Sequence, residues 1–168
     1  MTVDSSAWAA DVVALLLDRG ETLACAESLT GGALSAAIVD VPGASAVFRG
    51  GVVSYAASVK SSVLGVDPAL IDVAGTVDAR VAEAMAIGVC RLVGSDWSIA
   101  TTGVAGPGPA EGKEAGTAYV AVAGPDAKAG AGRRVTVRDL RVPGGRAEVR
   151  MAVVRAALSE LYARLESR

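Results

Sequence analysis

The 168-residue sequence predicts an α/β fold: a single three-layer α/β/α domain spanning residues 1–168, with a mixed, mostly parallel sheet. Three observations lead there. Helical and strand-like apolar patterns follow one another as αβαβαα and then βββα. Polar and glycine-rich clusters fall repeatedly after the strands, which is where ligands collect in an open α/β sheet. Aromatics make up 4% of a chain that is 52% apolar, so the core must be packed closely from Ala, Val, Leu and Ile. At this length one such core is expected, and no repeat or linker divides it.

The elements follow in order. Trp8, Val12, Leu15 and Leu16 recur at helical spacing, with Ser5 or Ser6 as caps and Gly20 as the stop. TLACA (22–26) suits a buried strand, and GALSAAIVD (32–40) returns to helical composition before the Pro42-Gly43 turn. VFRGGVVSY (47–55) reads as a second strand, in which Gly50 and Gly51 mark a bulge or a close backbone approach. A short helical piece carrying Lys60 closes at Gly65. From a cap at Asp78, a longer helix sets Val81, Met85, Val89 and Leu92 on one face and ends at Gly94. WSIATTGVAG (97–106) is a strand running into a glycine-rich loop, and TAYVAVAG (117–124) is another strand. In RRVTVRDLRV (133–142), Val135 and Val137 alternate with Arg134, Thr136 and Arg138, so this strand should be wet on one face, antiparallel and near an edge. The last helix, 145–166, lines up Val154, Leu158, Leu161 and Leu165.

Composition narrows the function. A net charge of −2 without a basic stripe argues against a nucleic-acid partner. The N-terminal segment has acids ahead of its apolar part and no cleavage motif, and no apolar run is long enough to span a membrane. A soluble, cytoplasmic protein is expected. Cys25 and Cys90 are isolated in apolar surroundings, Glu27 has no partnered acid and histidine is absent, so neither a metal nor a cofactor is expected.

The chemistry-bearing residues cluster. In CAESLTGGALSAAIVD (25–40), Ser28 and Thr30 stand between a buried strand and a helix. Either hydroxyl can cap that helix. In the other reading Ser28 is a nucleophile, and N–H groups around Thr30, Gly31 and Gly32 hold the developing charge. Without histidine a Ser-His-Asp triad is excluded, and a neutral lysine is the available base. Lys60 lies between Val59 and Val63, five residues after Tyr55. Apolar walls would lower its pKa, and Tyr55 could relay a proton or orient it; a solvated surface lysine is the alternative. Lys113 and Lys128 sit in glycine-rich loops and are poorer candidates. The stretch ATTGVAGPGPAEGKEAGT (100–117) offers the hydroxyls of Thr101 and Thr102 and a flexible backbone at Gly103 to a phosphate or ribose, yet fits neither the Walker nor the dinucleotide pattern. A ligand-free tight loop is the alternative. Arg146 and Arg150 open the last helix against its dipole, a small misfit that hints at a nearby anion.

Together AESLTGG, GGVVSYAASVKSSVLGV, VAEAMAIGV, ATTGVAGPGP…GT and GGRAEVR, in this order between about residues 7 and 166, resemble the C-terminal domain of the competence/damage-inducible protein CinA. That family includes stand-alone nicotinamide mononucleotide deamidases, and the resemblance points to this form, without the large N-terminal domain of full-length CinA. It implies hydrolysis of nicotinamide mononucleotide to nicotinic acid mononucleotide and ammonia at a metal-free Ser/Lys amidase site, in a dimer or higher homo-oligomer. Residue by residue it implies Ser28, Lys60 and Tyr55 as catalytic groups. Thr102 and Gly103 of the loop and Arg146 before the last helix fall on its substrate-binding positions. Ala57, Pro109 and Gly145 depart from the family pattern, where an asparagine, a glycine and an acid are common. The family's competence and DNA-damage associations leave a second expectation, a non-catalytic nucleotide-binding regulatory domain.

Overall fold

The computed structural model describes residues 5–126 and 132–167; Lys128 lies outside them. Their elements are α1 (Ser5–Arg19), β1 (Leu23–Glu27), α2 (Ala33–Val39), a 3₁₀ turn (Ala44–Ala46), β2 (Phe48–Val53), α3 (Ala57–Leu64), α4 (Pro68–Ala74), α5 (Ala79–Val93), β3 (Trp97–Gly103), β4 (Thr117–Pro125), β5 (Arg133–Arg141) and α6 (Arg146–Glu166). The sheet has the order β2-β1-β3-β4-β5. β1 pairs in parallel with β2 and β3, whereas β4 is antiparallel to both β3 and β5, so β4 alone runs against the others. The sheet is therefore mixed with four strands in one direction.

Strand alternation divides the core into two unlike halves. Leu23, Cys25, Trp97, Ile99, Val120 and Val122 face one layer, formed by α1, α2 and α6. Ala24, Ala26, Ala100, Ala121 and Ala123 face the other, formed by α3, α4 and α5. Small side chains let α5 settle close to the sheet, and Gly88 extends this closeness to α3. A Cβ on Gly88 would stand 2.0 Å from the Leu64 carbonyl oxygen. Close packing replaces aromatic bulk.

One element differs from the sequence reading. Helix α4 was not foreseen, because seven residues give too short a window for helical periodicity; its start is fixed by Pro68 and by the Asp67 side chain accepting from the Ala69 N–H. β5 is the antiparallel edge strand that its alternation predicted, and the register of β1 against β2 slips by one residue between Phe48 and Gly50. A Cβ on Gly51 would meet Ser35 Oγ at 2.2 Å, which accounts for a close approach at the second glycine.

This topology gathers loops at one end. β1, β2, β3 and β5 all finish there and β4 begins there, so residues 28–32, 54–56, 104–116 and 142–145 converge. Among the described residues no helix is long and apolar enough to cross a membrane.

Candidate active site

β1 and β2 hand their chain ends to the same place. Ser54 N–H donates to the Glu27 carbonyl (2.8 Å) and Ser28 N–H to the Thr101 carbonyl (2.9 Å), so both chains turn off the sheet under fixed geometry. One turn into α3, Lys60 points back beneath them. Its Nζ donates to the Ser54 carbonyl at 2.6 Å and lies 3.0 Å from Ser28 Oγ. Lys60 is wholly enclosed, while Ser28 keeps 9% exposure, which is its opening to the cleft. The surface-lysine alternative therefore fails. Burial brings the Lys60 amine from 10.5 down to about 8, against an opposing pull from the Glu111 carboxylate.

Neither Ser28 nor Thr30 caps α2. That role falls to Glu27, the fully buried acid just before the serine. Its Oε2 accepts from Gly32 N–H and Leu34 N–H at 3.0 Å each, and its Oε1 from Ser35 N–H (2.8 Å) and Ser35 Oγ (2.6 Å). The anion site at the start of α2 is thus filled by the chain's own carboxylate. Gly31 N–H is also engaged, on the Ser28 carbonyl at 3.0 Å. Among the described residues, the Leu29 and Thr30 N–H groups are the ones in this turn without a protein acceptor. The Thr30 hydroxyl is buried against Thr101 Oγ1 at 2.8 Å.

A cleft of about 230 Å³ opens over Ser28. Leu29, Tyr55, Thr76, Gly103, Glu111 and Arg146 contribute to its wall, along with the loop after β3. Tyr55 is 60% exposed, and its hydroxyl accepts from Arg146 Nη2 at 2.8 Å instead of reaching Lys60. Arg146 Nη1 also holds the Gly106 carbonyl at 2.7 Å, which uses two of the five N–H donors of the guanidinium.

The structure thus brings Ser28, Lys60, Tyr55, Gly103 and Arg146 to one cleft. It does not bring Thr102 there: that residue is fully buried, with its hydroxyl on the Thr76 carbonyl at 2.7 Å. Thr102 follows Ala100 on the sheet face that Ser28 shares, but the Thr76 backbone covers it and takes its hydroxyl. Gly31 and Gly32 present no free N–H, for the reasons just given. Lys113 belongs to a tight turn with Ala110. Arg150 is not an anion site either; its Nε and Nη2 hold the Leu29 and Thr30 carbonyls at 2.9 and 2.8 Å.

Sequence reading missed Glu27 as a cap and Glu111 altogether. An acid at a strand end just ahead of a helix start is a signal for the first. Glu111 had none, since its carboxylate reaches back to Thr76, where Oε2 accepts the N–H (2.6 Å) and Oε1 the hydroxyl (2.7 Å). Partial burial pushes the Glu111 carboxyl up, but these bonds, the Val77 N–H and the Lys60 charge together outweigh it and hold the group below its usual range.

Residues 5–165 match the family model of the CinA C-terminal domain. The chain belongs to the CinA C-terminal domain family. A CinA-like protein of Frankia casuarinae is 50% identical over 147 residues, covering 88% of this chain and 32% of that protein. One from Mycobacterium marinum is 46% identical over 159 residues, covering 89% and 36%. The chain spans about a third of the length of these curated relatives. Among solved structures, a CinA superfamily protein from Klebsiella pneumoniae superposes with a TM-score of 0.91 at 30% identity, covering 99% of this chain and 100% of that one. The competence/damage inducible protein CihA from Agrobacterium tumefaciens gives 0.86 at 31%, covering 97% and 98%. The five-stranded mixed sheet is thus the CinA fold.

Proposed function

We propose that this CinA domain is a nicotinamide-nucleotide amidohydrolase, converting nicotinamide mononucleotide and water to nicotinic acid mononucleotide and ammonia. The observation that carries the reading is the enclosed amine of Lys60, 3.0 Å from Ser28 Oγ at the floor of an open cleft. A buried lysine with pKa near 8 is neutral in about a tenth of molecules at pH 7. In that form Nζ keeps its bond to Ser54 and turns its lone pair to the serine proton.

Ser28 Oγ then bonds to the carboxamide carbon as its proton passes to Lys60, and the carbonyl electron pair moves onto oxygen. The Leu29 and Thr30 N–H groups, free of protein acceptors, are the donors for that oxyanion. Collapse breaks the C–N bond, and Lys60 returns the proton to the leaving nitrogen, which departs as ammonia. Water attacks the acyl-Ser28 ester with Lys60 again as base; the acid leaves and Ser28 regains its proton. Arg146 has three N–H donors left for the 5′-phosphate, and Tyr55 orients its guanidinium. Tyr55 is therefore assigned to positioning Arg146, since its hydroxyl bond runs to the guanidinium.

The experiment is ammonia release from nicotinamide mononucleotide by wild type, Ser28→Ala and Lys60→Ala, with nicotinamide riboside as a phosphate-free comparison. Release by wild type alone, weaker with the riboside, is expected. Equal turnover in either variant would remove the Ser/Lys pair. Nucleotide binding without ammonia in the wild type would leave a binding module.

A further inference from the structure

Arg150 lies on the second turn of α6, half-buried, and its guanidinium is spent on two successive backbone carbonyls. Nε donates to Leu29 O (2.9 Å) and Nη2 to Thr30 O (2.8 Å), the two residues that follow Ser28. A planar fork on two adjacent carbonyls fixes two peptide planes at once. In a trans peptide the carbonyl and the next N–H point in opposite directions. Holding Leu29 O therefore turns the Thr30 N–H away from Arg150, and holding Thr30 O does the same to the Gly31 N–H. The second consequence is visible, since Gly31 N–H meets the Ser28 carbonyl at 3.0 Å. The first leaves Thr30 N–H aimed away from α6 with no acceptor among the described residues.

We infer that Arg150 is a positioning residue for the oxyanion donors, holding the Leu29–Thr30 peptide in the orientation that the tetrahedral intermediate needs. This rests on the amidase reading above. A cation on the carbonyl of an amide also polarises it, so the Thr30 N–H becomes a stronger donor. Thr30 O is shared with the Ala33 N–H at 3.1 Å, but Leu29 O, the carbonyl of the Leu29–Thr30 peptide itself, has Arg150 as its donor among the described residues. Glu27 holds Gly32 and the first residues of α2, and the Thr30 side chain is tied to Thr101. Lysine could not replace the fork, because one ammonium cannot hold two carbonyls in this parallel geometry.

The test is steady-state hydrolysis of nicotinamide mononucleotide by wild type, Arg150→Ala and Arg150→Lys, with the dissociation constant of nicotinic acid mononucleotide measured by calorimetry. Loss of one oxyanion donor predicts that kcat falls about 100-fold in the alanine variant and about 10-fold in the lysine variant. KM and the product's dissociation constant should stay within about threefold, because planar ligands do not use the donor. Added methylguanidine should restore part of the alanine variant's kcat and leave the wild type unchanged. If the alanine variant does not fold, the lysine variant decides by the same split. A loss confined to KM, or a kcat within about threefold of wild type in the folded variants, overturns the inference. A wild type that releases no ammonia overturns the amidase reading itself, a result distinct from active wild type matched by active variants.

Discussion

Two ionisable side chains flank Ser28 in complete burial, and the molecule treats them in opposite ways. Glu27 meets four donors, three backbone N–H groups at the start of α2 and the Ser35 hydroxyl. Lys60 carries three N–H donors as an ammonium but finds one carbonyl and one serine hydroxyl. Enclosing a charge is costly unless every lone pair or proton finds a partner. The acid is matched to its surroundings and serves the fold, fixing the turn that holds the serine. The amine is under-matched, and its folded-state pKa falls to about 8. On the amidase reading, reactivity comes from an incomplete shell beside a complete one.

The largest effect expected from breaking this contrast is on Lys60. Lys60→Met should lower turnover by about 10⁴-fold or more, as removal of a base from a nucleophilic pair does. At pH 7 the same variant should be more stable than wild type by roughly 1–3 kcal/mol, because a poorly matched charge leaves the interior. The sign follows from linkage. With a folded pKa of about 8 and an ordinary lysine value of 10.5, the unfolded chain binds the proton more tightly than the folded one. Wild-type stability therefore rises with pH across that window, and the advantage of the methionine variant shrinks between those values. Calorimetric melting from pH 7 to 10 measures it. A methionine variant of lower stability at pH 7 would mean that the amine is better satisfied than its two partners indicate.

Glu27→Gln breaks the other member with the opposite sign. An amide nitrogen placed against N–H groups loses acceptors and adds donors, so stability should fall by about 2–4 kcal/mol in urea unfolding. Turnover should fall less than in Lys60→Met, since the reacting groups remain. A glutamine variant as stable as wild type would make Glu27 replaceable and dissolve the comparison.

Much of the frame behind these groups was legible in the sequence. The long helices α1, α5 and α6 showed their spacing, β5 its alternation, and Ser28 and Lys60 stood out because histidine is absent and lysine is scarce. The missing parts share a physical character: they are polar contacts that no periodicity encodes. Glu27 caps α2 across intervals of five to eight residues, and Arg150 reaches Leu29 and Thr30 across 121 and 120. Thr102 belongs with them, since its hydroxyl is taken by the Thr76 carbonyl across 26 residues. Helix α4 is too short for its pattern to emerge from its neighbours.

The weakest influence on the enclosed amine is that of Glu111. If neutral Lys60 is the base, kcat/KM should climb with pH up to about 8 and then level, because the deprotonated amine is the active form. Burial lowers that midpoint, and the Glu111 carboxylate opposes it by the smaller amount. Glu111→Gln should therefore move the ascending limb to lower pH, and 1 M salt should narrow the gap between variant and wild type, since the carboxylate is exposed. The same side chain clasps the loop after β3 to Thr76 Oγ1 and to the Thr76 and Val77 N–H groups. A glutamine keeps part of that clasp, so KM should rise only a few-fold while the limb shifts. Thr76→Val separates the two contributions, because it removes one bond of the clasp and leaves the charge in place. A limb that moves equally in both variants would assign the shift to loop position, whereas one that moves in Glu111→Gln alone assigns it to charge acting on the enclosed amine.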